Sequence, residues 1–350
     1  MGCNYVRNLL PMWHNGWTGD VDSLYRSRKN ADWAKDEILK SDIIVFHRAD
    51  TVNHHKVALA CKEAGKLTVF DNDDTFKQIE DGFFKELDKQ NYMENWVKVN
   101  RLMDNFIRNV DLVTTTTEFL AKEYRELNEN VVVLPNCVDP MDWSTPKRNE
   151  TDKIRIGIVG SVAYYNDVAE ISDYIKELSH RKDITLVLFG LQSKKGRKKN
   201  KLIANAFEKE YALWDEANIE HTPWCHMFEY FDVLNNLELD MMLIPRKDNY
   251  FNRCKSNLKF LEAAMCEIPV IAQSFPDGLS PYDKDLNGKN GILATTKEDF
   301  IRETERLIKD KELRRKIGKE AHKYVLANYD INNNYLKWQK AYQTIWKKES

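Results

Sequence analysis

The stretch "NYFNRCKSNLKFLEAAMCEIPVIA", Asn249 to Ala272, holds the transition that decides the fold. Leu258, Leu261, Ala264 and Met265 recur at helical spacing, and Ile268 to Ala272 reads as a short buried strand. Ser256 is the expected N-cap of that helix. Lys255 and Lys259 flank its start, where the helix dipole is positive and each cation costs roughly 0.3–1 kcal/mol. An anionic ligand would remove that cost. Helix amides, the Ser256 hydroxyl and two ammonium groups make a seat suited to a diphosphate. Lys255, Lys259 and Glu262 are expected on one helical face, with Glu262 far enough in to accept hydrogen bonds from ribose hydroxyls. The plainer alternative is that both lysines reach for water and Glu262 pairs with Lys259.

Outward from this stretch, "IRIGIVGSV" (154–162), "DITLVLFG" (183–190) and "DMMLIP" (240–245) read as further strands with helical segments between them. Upstream, "DIIVFH" (42–47), "KLTVFD" (66–71), "DLVTTTT" (111–117) and "VVVLP" (131–135) form a second alternating series. The polar run "DWSTPKRNETDK" (142–153) separates the two. The expectation is an α/β chain of two Rossmann-like, doubly wound parallel sheets facing a cleft, divided as 1–145 and 146–330. Residues 331–350 are expected to form a last helix packed back across the junction, with Tyr335, Trp338, Tyr342 and Trp346 on one side.

Composition narrows the function. Among 350 residues, 53 Lys and Arg against 55 Asp and Glu give a net charge of −2, which excludes a broadly basic nucleic-acid coat. The basic run "SKKGRKKNK" (193–201) reads as a solvated loop. No apolar run spans a bilayer and the start shows no secretory leader, so a cytoplasmic protein is expected. Its six cysteines lie far apart, which favours reduced thiols over disulfides or zinc.

At the strand ends of the first half, His47 and Arg48 follow "DIIVF", and Asp71, Asn72, Asp73 and Asp74 follow "KLTVF". The acidic cluster reads as acceptor binding or loop structure in preference to a metal site. His54 and His55 lack the partner spacing of a zinc site.

Tyr5-Val6-Arg7 with Pro11, "FDNDD", "VLPNCVD", "GIVGS" and "PRKDNYFNRCKSNLKFLEAAMCEIPVIA", taken in this order, resemble the retaining GT-B glycosyltransferases of the glycogen-synthase-like superfamily. The narrower likeness of "DNYFNRCKSNLKFLE" is to a subgroup from polysaccharide loci and bacteriophage genomes. The resemblance implies a metal-independent transferase with no tightly bound cofactor, taking a UDP- or GDP-sugar as donor. It implies that Lys255, Ser256 and Lys259 stabilise the leaving diphosphate, joined by Asn257 at the helix start, and that Glu262 holds the ribose. Gly160 and Ser161 would admit the phosphates, and His47 would touch the transferred sugar, the alternative being a structural histidine that caps its strand. Arg7, Arg48, Asp71, Asp73 and Asp74 fall on the acceptor side.

Three departures accompany the likeness. Cys254 stands where the superfamily has its first glutamate, so Asp248, Asn249 or Asn252 would have to contact the sugar. The usual Arg and Lys pair is missing from "GSVAYYND". Met1 to Pro11 falls where the loop after the first strand should be, and Glu267 replaces a common glycine.

The acceptor is expected to be a carbohydrate or small-molecule hydroxyl, because "DNDD" and the acidic stretch 78–88 would repel phosphates. A hydroxymethylated base in bacteriophage DNA is the alternative acceptor, and a nucleotide-sugar-binding protein without turnover the alternative class. Neither half carries Gly-x-Gly-x-x-Gly after its first strand, which argues against a dinucleotide oxidoreductase.

Overall fold

The computed structural model describes residues 2–19, 31–48, 52–75, 92–160, 164–191 and 219–349. Ser161 and the charged stretches 78–88 and 193–201 lie outside them.

The first sheet is parallel and runs in chain order: β1 (Ile43–His47), β2 (Leu67–Asn72), β3 (Leu112–Thr115) and β4 (Val131–Val133). Every step goes the same way, so right-handed crossovers place the connecting helices on one face. There Phe70 and Val113 pack against Ala58, Met103, Phe106, Leu120 and Tyr124. Side chains alternate along a strand, so Leu67, Val69 and Leu112 look the other way. That second face is covered by the two chain ends. Tyr5, Val6 and Leu10 arrive from the N-terminus and Trp338, Tyr342 and Ile345 from the C-terminus.

The double winding expected for this sheet is therefore absent among the described residues. Terminal helices replace the crossovers of a second half. The segment expected as a loop is helical, as Gly2–Asn4, a π-helical turn Tyr5–Leu9, and Leu10–His14. The last helix is broken after Ile331–Asn334 and resumes as α1, Leu336–Glu349. Trp338 and Tyr342 are buried on it, while Trp346 is exposed and leaves the expected stripe.

The second sheet is doubly wound, in the order β10-β9-β8-β5-β6-β7. Its strands are β5 (Ile154–Val159), β6 (Ile184–Phe189), β7 (Ile219–Thr222), β8 (Met241–Ile244), β9 (Val270–Gln273) and β10 (Ile292–Ala294). β5, β6, β8 and β9 are almost continuously apolar, as a sheet covered on both faces requires. β7 and β10 were not expected from sequence. The first is a polar edge strand, "IEHT", and the second is only three residues long. The chain leaves β5 toward β6 and β7, then returns to build β8 to β10 on the other side. The reversal puts a crevice at the carboxyl ends of β5 and β8, where open sheets bind ligands. The two crossings between domains lie side by side, with Val138 NH donating to Tyr329 O at 2.9 Å and Ile331 NH to Val138 O at 2.9 Å.

Candidate active site

The helix of the opening stretch, α2 (Leu258–Met265), starts later than expected, with Asn257 at its N-cap and no side-chain cap. Ser256 instead accepts a hydrogen bond from Asn136 Nδ2 of the first domain at 2.9 Å. Lys255 precedes the helix and does not share its face. Lys259 and Glu262, one turn apart, do. Asn257 is buried and donates to Asp285 at 2.7 Å, so it serves the fold.

At the switch point, Lys259 Nζ donates to the last carbonyl of β5, Val159 O, and lies 4.5 Å from the centre of the Tyr164 ring. The Arg246 guanidinium, just beyond β8, lies 4.9 Å from the same ring. Two cations on one aromatic ring repel each other. Burial and Arg246 together pull the Lys259 pKa below the ordinary lysine value. Glu262 accepts from Tyr230 OH at 2.8 Å, and burial holds its carboxyl above the usual range, with Lys259 and Tyr230 working the other way. The buried Tyr164 hydroxyl has no hydrogen-bond partner among the described residues. Gly160 makes room for that ring, since a Cβ there would meet Tyr164 Cδ1 at 2.5 Å.

Arg246 was not singled out from sequence. The available signal was a charged residue directly after a buried strand, in "IPRKD". Its partner Asp167, in the helix after β5, was equally unremarked: Asp167 accepts from Arg246 at 2.8 Å and from Asn252 Nδ2 at 2.6 Å. Asn252 also donates to Lys247 O at 2.9 Å and accepts from Arg246 at 3.3 Å, so its amide is fully engaged in the loop. Asn249 caps the short helix Tyr250–Arg253, and Asp248 is held by Arg253 at 2.7 and 2.9 Å. None of the three candidates for the sugar contact is left unengaged.

The segment 250–256 belongs to the second domain in sequence but docks on the first. Tyr250 donates to Glu123 and packs 5.5 Å from the Phe119 ring. Cys254 is fully buried within the first domain's apolar cluster, which pushes its thiol pKa up. Lys255 pairs with Asp74 and lies over the Phe251 ring at 3.9 Å. The cation expected on the diphosphate thus bridges the two domains.

Across the cleft, His47 Nδ1 lies 3.0 Å from Asp71 Oδ1. Asp71 also accepts from Arg7 at 3.2 and 2.7 Å and from Thr114 Oγ1 at 2.7 Å. Arg7 and His47 hold its carboxyl well below the usual range against the penalty of burial. Arg48, whose φ of 53° lies in the left-handed region, pairs with Asp73 at 2.7 Å and lies 3.7 Å from Asp74. The expectation of an acidic acceptor face is corrected here. Asp71, Asp73 and Asp74 are compensated by Arg7, Arg48 and Lys255, so the cluster carries little net charge. Among the described residues, no three His, Cys, Asp or Glu side chains gather as a metal site.

Residues 171–340 match the model of the glycosyl transferase-like family, Glyco_trans_1_2. HepE from Anabaena, in complex with UDP and glucose, superposes with a TM-score of 0.63 at 14% identity over 93% of this chain and 84% of its own. Sucrose-phosphate synthase from Thermosynechococcus elongatus gives 0.61 at 13% identity over 97% and 78%. TarM gives 0.58 at 14% identity over 85% of this chain, which spans 54% of the TarM chain. A mutant form of S. aureus TarM is known in complex with fondaparinux, alpha-GlcNAc-glycerol and UDP. No curated protein matches the sequence. The likeness establishes the GT-B fold for this chain. Among the described residues no helix is long and apolar enough to cross a membrane.

Proposed function

From a GT-B chain whose residues 171–340 match the glycosyl transferase-like family, we propose a transferase that moves a sugar from a nucleotide sugar to a hydroxyl acceptor with retention of anomeric configuration. One observation carries the reading: Lys259 and Arg246 converge on Tyr164 at the switch point, with Glu262 one turn further along α2. The leaving diphosphate would seat between these cations, and fixed charges in a partly dry site stabilise a leaving group strongly. Glu262, oriented by Tyr230, would take the ribose hydroxyls. His47 would face the transferred sugar from the first domain. Gly160 serves phosphate binding indirectly, through the ring it admits. Lys255 contributes through domain closure, and Asp248, Asn249 and Asn252 shape the loop beside the sugar.

UDP is the favoured nucleotide because HepE is known with UDP and UDP-glucose. A carbohydrate or small polyol is the favoured acceptor, supported by the GlcNAc-glycerol and fondaparinux complex of TarM. A hydroxymethylated base in DNA is the second reading, and the charge compensation of Asp71, Asp73 and Asp74 removes the main electrostatic objection to it.

The test offers labelled UDP-glucose, UDP-GlcNAc and GDP-mannose with glycan and polyol acceptors, and with hydroxymethylcytosine duplexes at low and moderate salt. Transfer to a glycan with an unchanged anomeric centre is expected. Transfer to the base that falls steeply with salt would select the second reading, and no donor turnover at all, hydrolysis included, would overturn the assignment as an enzyme.

A further inference from the structure

A line of side-chain hydrogen bonds crosses the cleft. Ser256 Oγ accepts from Asn136 Nδ2 at 2.9 Å, and Asn136 Oδ1 accepts from Arg7 at 3.4 Å. Arg7 also donates to Leu134 O and holds Asp71 through two nitrogens, and Asp71 Oδ1 meets His47 Nδ1. Arg7, Asp71 and Asn136 are each no more than 2% exposed, so water does not compete for these bonds. Asp71 Oδ1 is shared between Arg7 Nε and His47 Nδ1, so a shift of the guanidinium is felt at the imidazole.

The two ends of this line differ in kind. His47 sits at the end of β1 in the first domain, and Ser256 sits on the segment leading into α2 of the second. Asn136 lies where the chain leaves β4 toward the domain crossing, and its amide has one face for each side. It spends its oxygen on a buried cation and its nitrogen on a hydroxyl of the opposite domain.

We propose that Asn136 is a positioning residue that couples the donor-side segment at Ser256 to the orientation of His47 through Arg7 and Asp71. The functional consequence rests on the glycosyl-transfer reading above, whereas the coupling itself does not. Domain docking sets the ring of the histidine that faces the transferred sugar. Buried, fully connected polar networks of this kind transmit small displacements because their members have few alternative partners.

The test is a double-mutant cycle read at His47, with the imidazole carbon and nitrogen resonances of selectively labelled histidine. Ser256→Ala, on the far side of the cleft, is expected to move the His47 resonances in the wild-type background. In an Asn136→Ala background the same substitution is expected to leave them still. Unmoved resonances in the first case, or equal movement in both, would overturn the proposal. Arg48→Lys, near His47 but outside the line, should preserve the cycle and serves as the control. In transfer assays the two alanine variants should each lower kcat about tenfold, with the double variant no worse than either single one. Multiplying losses would overturn the coupling. The resonance cycle needs no substrate, so failure to detect transfer would count against the enzymatic reading and leave the relay judged on its own.

Discussion

Replacing Lys259 by methionine keeps the length of the side chain and deletes its charge. The ammonium lies 4.5 Å and the Arg246 guanidinium carbon 4.9 Å from one ring centre, so the two cations are within roughly 10 Å of each other. At that outer limit, like charges repel by about 1.7 kcal/mol with an effective dielectric constant of about 20. A diphosphate arriving between them replaces repulsion with two attractions. Loss of one charged hydrogen bond should weaken binding by about 1.5–3 kcal/mol, or roughly 10- to 150-fold. The free protein should be as stable as wild type or more so, because the buried cation is a liability when no anion is present.

Calorimetric titration with UDP and GDP checks the affinity, and thermal unfolding checks the stability. A pH series adds a second constraint. The folded protein holds Lys259 below its ordinary pKa, so it binds fewer protons than the unfolded chain. Wild-type stability relative to Lys259→Met should therefore rise with pH between the lowered and the ordinary lysine values. A bound diphosphate raises that pKa again, so wild-type affinity should fall as pH climbs through the lowered value. The methionine variant should lack both slopes. Equal affinities for variant and wild type, with parallel pH profiles, would refute the placement of the diphosphate at this ring.

Glu262→Gln should weaken a ribonucleotide diphosphate more than its 2′,3′-dideoxy counterpart in the same titration, since the proposed role of the carboxylate is to accept from the ribose hydroxyls; equal losses would make Glu262 structural. Lys255→Met, unlike Lys259→Met, should lower thermal stability, by about 1–3 kcal/mol, because it removes the nearer of the two cations beside buried Asp74 and leaves only Arg48 at 3.7 Å. That loss should shrink in acid, where Asp74, whose pKa burial already raises, takes up a proton. Asp71→Asn should cost about 3–5 kcal/mol in denaturant titrations near neutral pH by leaving Arg7 buried and uncompensated. The depressed pKa of Asp71 means that its wild-type contribution is present above the ordinary carboxylate range and is lost only as pH falls through the depressed value.

What sequence reasoning reached was governed by locality. The strands around Ile44, Phe70, Val113, Ile156, Leu186, Leu243 and Ile271 are short apolar runs whose reading needs only their neighbours. The placing of Lys259 and Glu262 one turn apart on a helix needed no more than their spacing. Arg246 escaped because its place over the Tyr164 ring depends on β8 lying beside β5, a contact between residues far apart in the chain. The same holds for Lys255, which helical spacing alone would aim at the cleft. Its partner Asp74 stands 181 residues away, and the chain just before Leu258 is not helical. The N-terminal segment escaped for a different reason. Its buried Tyr5, Val6 and Leu10 have meaning only against the C-terminal helix that covers the same face of the sheet.

Cys254 offers the sharpest separation between family resemblance and this fold. The superfamily that this sequence resembles has a glutamate there, so on the proposed function Cys254→Glu would be expected to raise transfer if the segment kept its usual place in the cleft. Here the thiol is fully buried among Phe70, Phe106, Leu120 and Tyr124 of the first domain. Thr117 Oγ1 donates to the carbonyl of the same residue at 3.4 Å, and Glu123 and Asp74 already raise the cost of a negative charge at its thiol. A glutamate side chain would have to enter that cluster or pull the segment 250–256 off the first domain, taking Lys255 from Asp74 and Ser256 from Asn136. The first route buries an uncompensated carboxylate at about 3–5 kcal/mol. The second breaks the contacts that join the domains. Cys254→Glu should therefore lower stability by at least that amount and leave turnover lower, whereas Cys254→Ala should cost only about 1–2 kcal/mol for the lost sulfur contacts. Transfer rates that rise in Cys254→Glu, at unchanged thermal stability, would show that the segment docks elsewhere during turnover and that the glutamate's absence, not its replacement by packing, limits the chemistry.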